Sequence, residues 1–316
     1  MAWSEMRCTI AAIVAVFILF ICPQLSAEEE DGFQLLERDC GLTFKDQTGP
    51  KIINGFNAKL GAHPWMAFLH TPTHFTCAGS LINHWFVLTA AHCIHDDIQL
   101  TVRLGEYNRD KAEDCLENLC MDPAEEYEVS MAFRHKFYDT KQHTNDIGML
   151  RLDRRVTYKA HIQPICVFVD SKIKPLVDRL TWFNATGWGI THTNKTARVL
   201  QELRINRRPY DNCERMFGKR MSSMIICSGN DDSNLCNGDS GGPQGREMSY
   251  GNSRVYVQLG IASFTNRGCN NVSILTDVLS HGNWIKRVVQ RFGIPEPERT
   301  AERLPLGRRP TFYRPI

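Results

Sequence analysis

Three short stretches of this sequence carry residues that could share nucleophilic chemistry. NGDSGGP (237–243) sets Ser240 among glycines beside Asp239. LTAAHC (88–93) sets His92 after an apolar run, and NDIGMLRL (145–152) sets Asp146 directly before another. A serine hydroxyl is a weak nucleophile alone. It needs a neighbouring base, a group that orients the base, and donors for the developing oxyanion. Glycine permits tight turns that aim amide N–H groups at one spot, so Gly238 and Ser240 are the natural oxyanion donors. Each stretch also has a plainer reading: a solvated glycine turn, a structural histidine, a strand-start aspartate. Their joint occurrence is what favours chemistry.

The elements that must hold these residues read as short strands. Apolar runs recur in WMAFLH (65–70), SLINHWFVLTAA (80–91), IQLTVRLG (98–105), YEVSMAF (127–133), DIGMLRL (146–152), FNATGWGI (183–190) and VYVQLGIASF (255–264), with turn residues between them. Many short strands at such spacing predict an all-β barrel or sandwich. Only SHGNWIKRVVQRF (280–292) has helical periodicity. It puts Trp284, Ile285, Val288, Val289 and Phe292 on one face, with Ser280 as cap.

Composition narrows the setting. The chain has 316 residues, with 37 basic against 35 acidic, so no global basic field argues for nucleic acid. Residues 9–21 form an apolar run behind Arg7 that is short for a membrane span, which needs about 20 residues. The small residues after it predict a signal peptide ending near Ala27 and a secreted product; the rival reading is a short signal anchor. Ten cysteines remain after residue 27, an even count that favours disulfides over free thiols in a secreted chain. Spacing for zinc is lacking. Residues 28–51 read as a short exposed segment, and 293–316 as a basic, Pro-containing tail expected to be disordered. That tail could touch acidic partners, though a merely solvated tail is the plainer reading. Sequons occur at Asn184, Asn194 and Asn271. Of these, Asn194 sits in a predicted exposed loop, Asn184 in a predicted strand and Asn271 near the pocket rim.

IING (52–55), TAAHC, NDIGMLRL, TGWG (186–189), NGDSGGP and the terminal GNWI together resemble the chymotrypsin/trypsin-like serine protease family, in order over roughly 52–290. The resemblance implies two six-stranded antiparallel β-barrels with the site between them and a C-terminal helix. It implies that His92 is the general base and acid, Asp146 its orienting carboxylate and Ser240 the nucleophile, with Ser263 supporting Asp146. Ser263–Thr265 then form the strand that pairs with substrate backbone. Activation follows by the same likeness: a protease cuts after Lys51, and the freed Ile52 ammonium pairs with Asp239. The family pattern also implies the pairs Cys40–Cys166, Cys77–Cys93, Cys213–Cys227 and Cys236–Cys269, leaving Cys115–Cys120. That extra pair resembles arthropod clip-type cascade proteases, but residues 28–51 hold one cysteine against a clip module's six. No clip module is therefore expected there.

The pocket departs from the tryptic pattern. Six residues before Ser240 stands Asn234, where trypsin-like members carry an aspartate. Thr265 and Ser273 align with wall positions that are usually glycine, and Phe264 with a usual tryptophan. Cleavage after small or medium uncharged residues is expected. The competing ideas are a residual basic preference through water, or restriction to one macromolecule. Glu106 and Glu126 are the candidate calcium ligands, against a solvated acidic loop; no cofactor is required. Expected partners are a protein or peptide substrate, an upstream activating protease and serpin-type inhibitors, with the chain a monomer. The alternative class is a non-catalytic protease homologue acting as a binding or regulatory cofactor.

Overall fold

The computed structural model describes residues 34–43, 56–116, 119–191, 195–266, 268–293 and 311–313. The signal-peptide reading, Lys51, Ile52 and Asn194 lie outside them. No helix among the described residues is long and apolar enough to cross a membrane.

The strands form two closed antiparallel barrels. β1 (Phe56–Asn57) joins the second. The first is built from β2 (Met66–His70), β3 (Phe75–Leu81), β4 (Phe86–Thr89), β5 (Thr101–Leu104), β8 (Glu125–Arg134) and β9 (Gly148–Leu152). Its order is β8-β5-β2-β3-β4-β9, closed by β8 pairing with β9. A small hairpin, β6 (Cys115–Leu116) and β7 (Leu119–Cys120), lies between β5 and β8 in sequence. The second barrel comprises β10 (Trp182–Gly187), β11 (Gln201–Arg207), β12 (Ile225–Gly229), β13 (Pro243–Tyr250), β14 (Ser253–Thr265) and β15 (Ser273–Asp277). It closes where β11 meets β12, and β1 adds to the outer edge of β11.

Each barrel has its own apolar interior. Phe86, Leu88, Val102, Phe133 and Leu150 are fully buried in the first, and Phe183, Ile205, Val257 and Leu275 in the second. The predicted apolar runs became strands because alternation, or a fully apolar stretch, lets them line a closed barrel. Four barrel strands lie wholly outside the predicted runs: β12 and β15, which are short and fully buried, and the more polar β11 and β13. In β11, QELRINR buries only Ile205, and β13, PQGREMSY, buries only its first three residues.

The helical end is as expected over its buried face. α3 (Gly282–Phe292) sinks Trp284, Ile285 and Val288 into the first barrel's core, each worth about 1.5–3 kcal/mol of burial. Its start differs. A 3₁₀ turn, Leu279–His281, precedes it, and Ser280 donates to Asp277 instead of capping. Two further short helices also correct the expectation of a single one: α1 (Lys174–Asp178) and α2 (Tyr210–Phe217). The latter carries Cys213, which must reach Cys227 on β12.

Two other expectations change. Residues 34–43 are not merely exposed: Leu35 and Cys40 are buried, and the Gly41 peptide exchanges hydrogen bonds with Pro164 and Tyr256. Within the tail expected to be disordered, β16 (Thr311–Tyr313) pairs in parallel with β8.

Candidate active site

His92 sits in the 3₁₀ turn Ala91–Cys93 directly after β4, and Asp146 just before β9. Since β4 pairs with β9, the two meet at one end of the first barrel. His92 Nδ1 lies 2.7 Å from Asp146 Oδ2, and the His92 backbone N–H donates to Oδ1 at 2.9 Å. The second barrel completes the arrangement. Ser263, on β14, donates to Asp146 Oδ2 at 2.6 Å, and Thr276, on β15, donates to the Asp146 carbonyl at 2.8 Å. Asp146 is 2% exposed. Burial alone would raise its carboxyl, but the His92 and Ser263 hydrogen bonds outweigh that and hold it below the usual range.

Ser240 enters from the turn before β13 and shares a cavity of about 270 Å³ with His92, Asp146, Ser263 and Ser273. Its carbonyl accepts from Ala78 N–H of the first barrel at 2.8 Å, which fixes this turn across the seam. Gly238 has φ +99°, a conformation side-chain-bearing residues rarely adopt. Asp239, the neighbouring residue, also borders the cavity. Its two oxygens accept from Gly189 and Cys236 N–H, each at 2.9 Å. A Cβ at Gly187 or Gly189 would strike this carboxylate, which explains the glycines of TGWG. Among the described residues Asp239 has no cationic partner, and burial pushes its carboxyl up to about 6.

The five expected disulfides are formed: Cys40–Cys166, Cys77–Cys93, Cys115–Cys120, Cys213–Cys227 and Cys236–Cys269. Cys77–Cys93 anchors the turn bearing His92 to β3.

Thr265 and Ser273 face each other across β14 and β15. Asn234 lies beneath them, its Oδ1 accepting from Ser273 Oγ and from Leu235 N–H, each at 2.9 Å. Its Nδ2 is buried without a partner among the described residues. Beyond Ile261, β14 no longer pairs with β13, so that edge of Ser263–Thr265 is left open by the described strands. Sequence reasoning missed His143. Held at φ +53°, it stacks on Phe264 with centroids 3.9 Å apart and roofs the same cavity. Its place three residues before Asp146, in HTND, was the available signal.

Glu106 and Glu126 do come together, but around a guanidinium. Arg103 Nη1 meets Glu106 at 3.0 Å, and its Nη2 meets Glu126 at 2.7 Å. Arg103 occupies the space between the two carboxylates and donates to both, so this arrangement does not fit the metal without displacing an arginine. Asn271 is exposed, whereas Asn184 lies half-buried within β10, the strand predicted for it.

The sequence matches the family described as Trypsin over residues 52–285. The chain belongs to the trypsin family. It is 28% identical over 292 residues to serine protease grass of Drosophila melanogaster, covering 87% of this chain and 77% of the relative. It is 32% identical over 280 residues to phenoloxidase-activating enzyme 1 of Spodoptera litura, covering 82% and 72%. The crystal structure of the Drosophila Grass clip serine protease of the Toll pathway superposes with a TM-score of 0.72, covering 83% of this chain and 76% of that one. This trypsin-family chain therefore shares its two-barrel architecture with a solved protease.

Proposed function

We propose that this chain is a secreted serine endopeptidase, made as a zymogen and activated by cleavage after Lys51. The observation that carries the reading is the hydrogen-bond chain His92–Asp146–Ser263 in the cavity that also holds Ser240. With Nδ1 bound to Asp146, the His92 imidazole presents Nε2 as base. Ser240 Oγ attacks the scissile carbonyl carbon as His92 takes its proton. The carbonyl oxygen becomes an oxyanion, held by the N–H groups of Gly238 and Ser240. Collapse returns the His92 proton to the leaving amine and leaves an acyl ester on Ser240. Water, deprotonated by His92, then releases the acid.

The zymogen reading rests on Asp239. A buried carboxylate without a cation is an incomplete ion pair, and a freed Ile52 ammonium would complete it. A narrow, uncharged pocket of Asn234, Thr265 and Ser273 supports cleavage after small or medium uncharged residues. The relatives are named as proteases, among them an activating enzyme, which supports a protein substrate within an extracellular cascade. An upstream activating protease, serpin-type inhibitors and a monomeric state complete the proposal. Arg103 between Glu106 and Glu126 supports working without calcium.

A fluorophosphonate probe applied before and after cleavage at Lys51 tests this. Strong labelling of Ser240 only in the cut protein is expected. No labelling of cut protein would instead favour a non-catalytic homologue, and equal labelling of an uncut Lys51→Gln protein would remove the zymogen.

A further inference from the structure

The outer face of the second barrel carries an arrangement that the proposed catalysis does not use. Trp182 begins β10, which lies between β11 and β13. Arg204 reaches the Trp182 ring from β11, its guanidinium carbon 4.1 Å from the ring centroid. Arg246 reaches the same ring from β13 at 3.9 Å. Among the described residues, no carboxylate or hydrogen-bond acceptor engages either guanidinium, and none engages the Trp182 indole N–H. The third arginine nearby, Arg254 on β14, pairs with Glu247 at 3.2 Å; both are well exposed, so that contact is weak. Burial lowers the Arg246 pKa, and the neighbouring Arg204 and Arg254 charges lower it further. Holding two like charges on one ring costs free energy that a bound anion would offset.

The chemistry of the face selects its ligand. It offers planar forks of N–H donors and one indole N–H, and Glu247 is the acidic group beside it. Arginine forks bind sulfate and carboxylate oxygens through paired hydrogen bonds. Protein partners usually require an apolar anchor in a pocket. The large exposed apolar side chains, such as Phe137, Tyr210, Met216 and Phe264, belong to other elements. A partner that is itself almost all acceptor and charge fits better. We propose that Arg204 and Arg246, stacked on Trp182, bind a sulfated polysaccharide. The strands run from this face toward Asp239, since β10 ends at Gly187 against its carboxylate and β13 starts just after Ser240. Trp182 is thus at the opposite end of β10 from that carboxylate, and none of Trp182, Arg204 and Arg246 lines the cavity, which the ligand would leave open. This inference stands whether or not Ser240 is reactive.

The test uses the intact, uncut chain on immobilised heparin, eluted with sodium chloride. Binding that falls steeply with salt is expected, as for any polyelectrolyte contact. Arg204→Gln/Arg246→Gln should weaken affinity about ten-fold or more. Lys172→Ala/Arg198→Ala, which removes the same net charge from exposed sites, should elute as the unsubstituted chain. Soluble heparin oligosaccharide should change tryptophan emission, and Trp182→Phe should abolish that change. Thermal melts of every variant identify loss of fold. Equal elution of the two double variants would overturn the proposal. So would displacement by polyglutamate at equal charge, which would assign the face to an acidic polypeptide.

Discussion

Ser273 Oγ donates to Asn234 Oδ1 at 2.9 Å, so the residue where tryptic members hold a free carboxylate is tied to the pocket wall. Leu235 N–H occupies the same oxygen. This fixes the amide orientation and leaves Nδ2 buried without a partner among the described residues. A substrate arginine would find no counter-charge here. Asn234→Asp should raise kcat/KM for Arg or Lys peptides by roughly ten- to hundred-fold, the range for one charged hydrogen bond. Adding Thr265→Gly and Ser273→Gly should raise it further. A peptide library on activated protein checks both; dominant basic cleavage by the unsubstituted enzyme would refute the pocket reading.

Asp239 makes uncut protein sensitive to pH. Its folded carboxyl titrates near 6, above the ordinary 3.8. An acid raised in this way binds its proton more tightly folded than unfolded. Its favourable contribution is complete below about 3.8 and is lost as pH rises through about 6. The size is on the order of 3 kcal/mol. An ammonium partner would remove this effect. Between pH 4 and 7, the melting temperature of cut protein should gain on that of uncut Lys51→Gln protein. A difference independent of pH would count against the pairing of Ile52 with Asp239.

Arg103, on β5, lies between Glu106 and Glu126, the two carboxylates considered for calcium. Neither millimolar calcium nor a chelator should move the melting temperature by more than about 1 °C. Arg103→Ala leaves Glu106 buried and unpaired, at a cost of about 2–3 kcal/mol given that Arg103 is partly exposed. Scanning calorimetry with and without calcium reads both outcomes.

Cys40–Cys166 fastens the segment before Lys51 to the protease. Cleaved protein should migrate as one species on a non-reducing gel and release a short peptide on reduction. Cys40→Ser should release that peptide without reductant, and mass spectrometry would identify it.

Much of this was legible because the chemistry resides in contiguous motifs. His92 and Asp146 each sit beside an apolar run and Ser240 in a glycine turn, and the resemblance those motifs carry implied the two barrels that gather them. Polar strands were not legible. β11 and β13 are held by their neighbours' hydrogen bonds and by ladder position, which no local pattern displays. The burial of Leu35 and Cys40 likewise depends on a partner 126 residues away from Cys40. Arg103 escaped notice because it becomes a counter-ion only once β5 is laid beside β8. His143 was overlooked because its stack on Phe264 joins the segment before Asp146 to β14 of the other barrel.

The chain His92–Asp146–Ser263 also crosses from one barrel to the other, with a consequence during synthesis. Residues 56–152 carry all six strands of the first barrel, with His92 and Asp146, and leave the ribosome before the second barrel. Ser240 and Ser263 arrive only with the second. A half-made chain thus holds an imidazole and a carboxylate but no nucleophile. The order of translation therefore keeps the imidazole and carboxylate apart from the nucleophile until the second barrel is made.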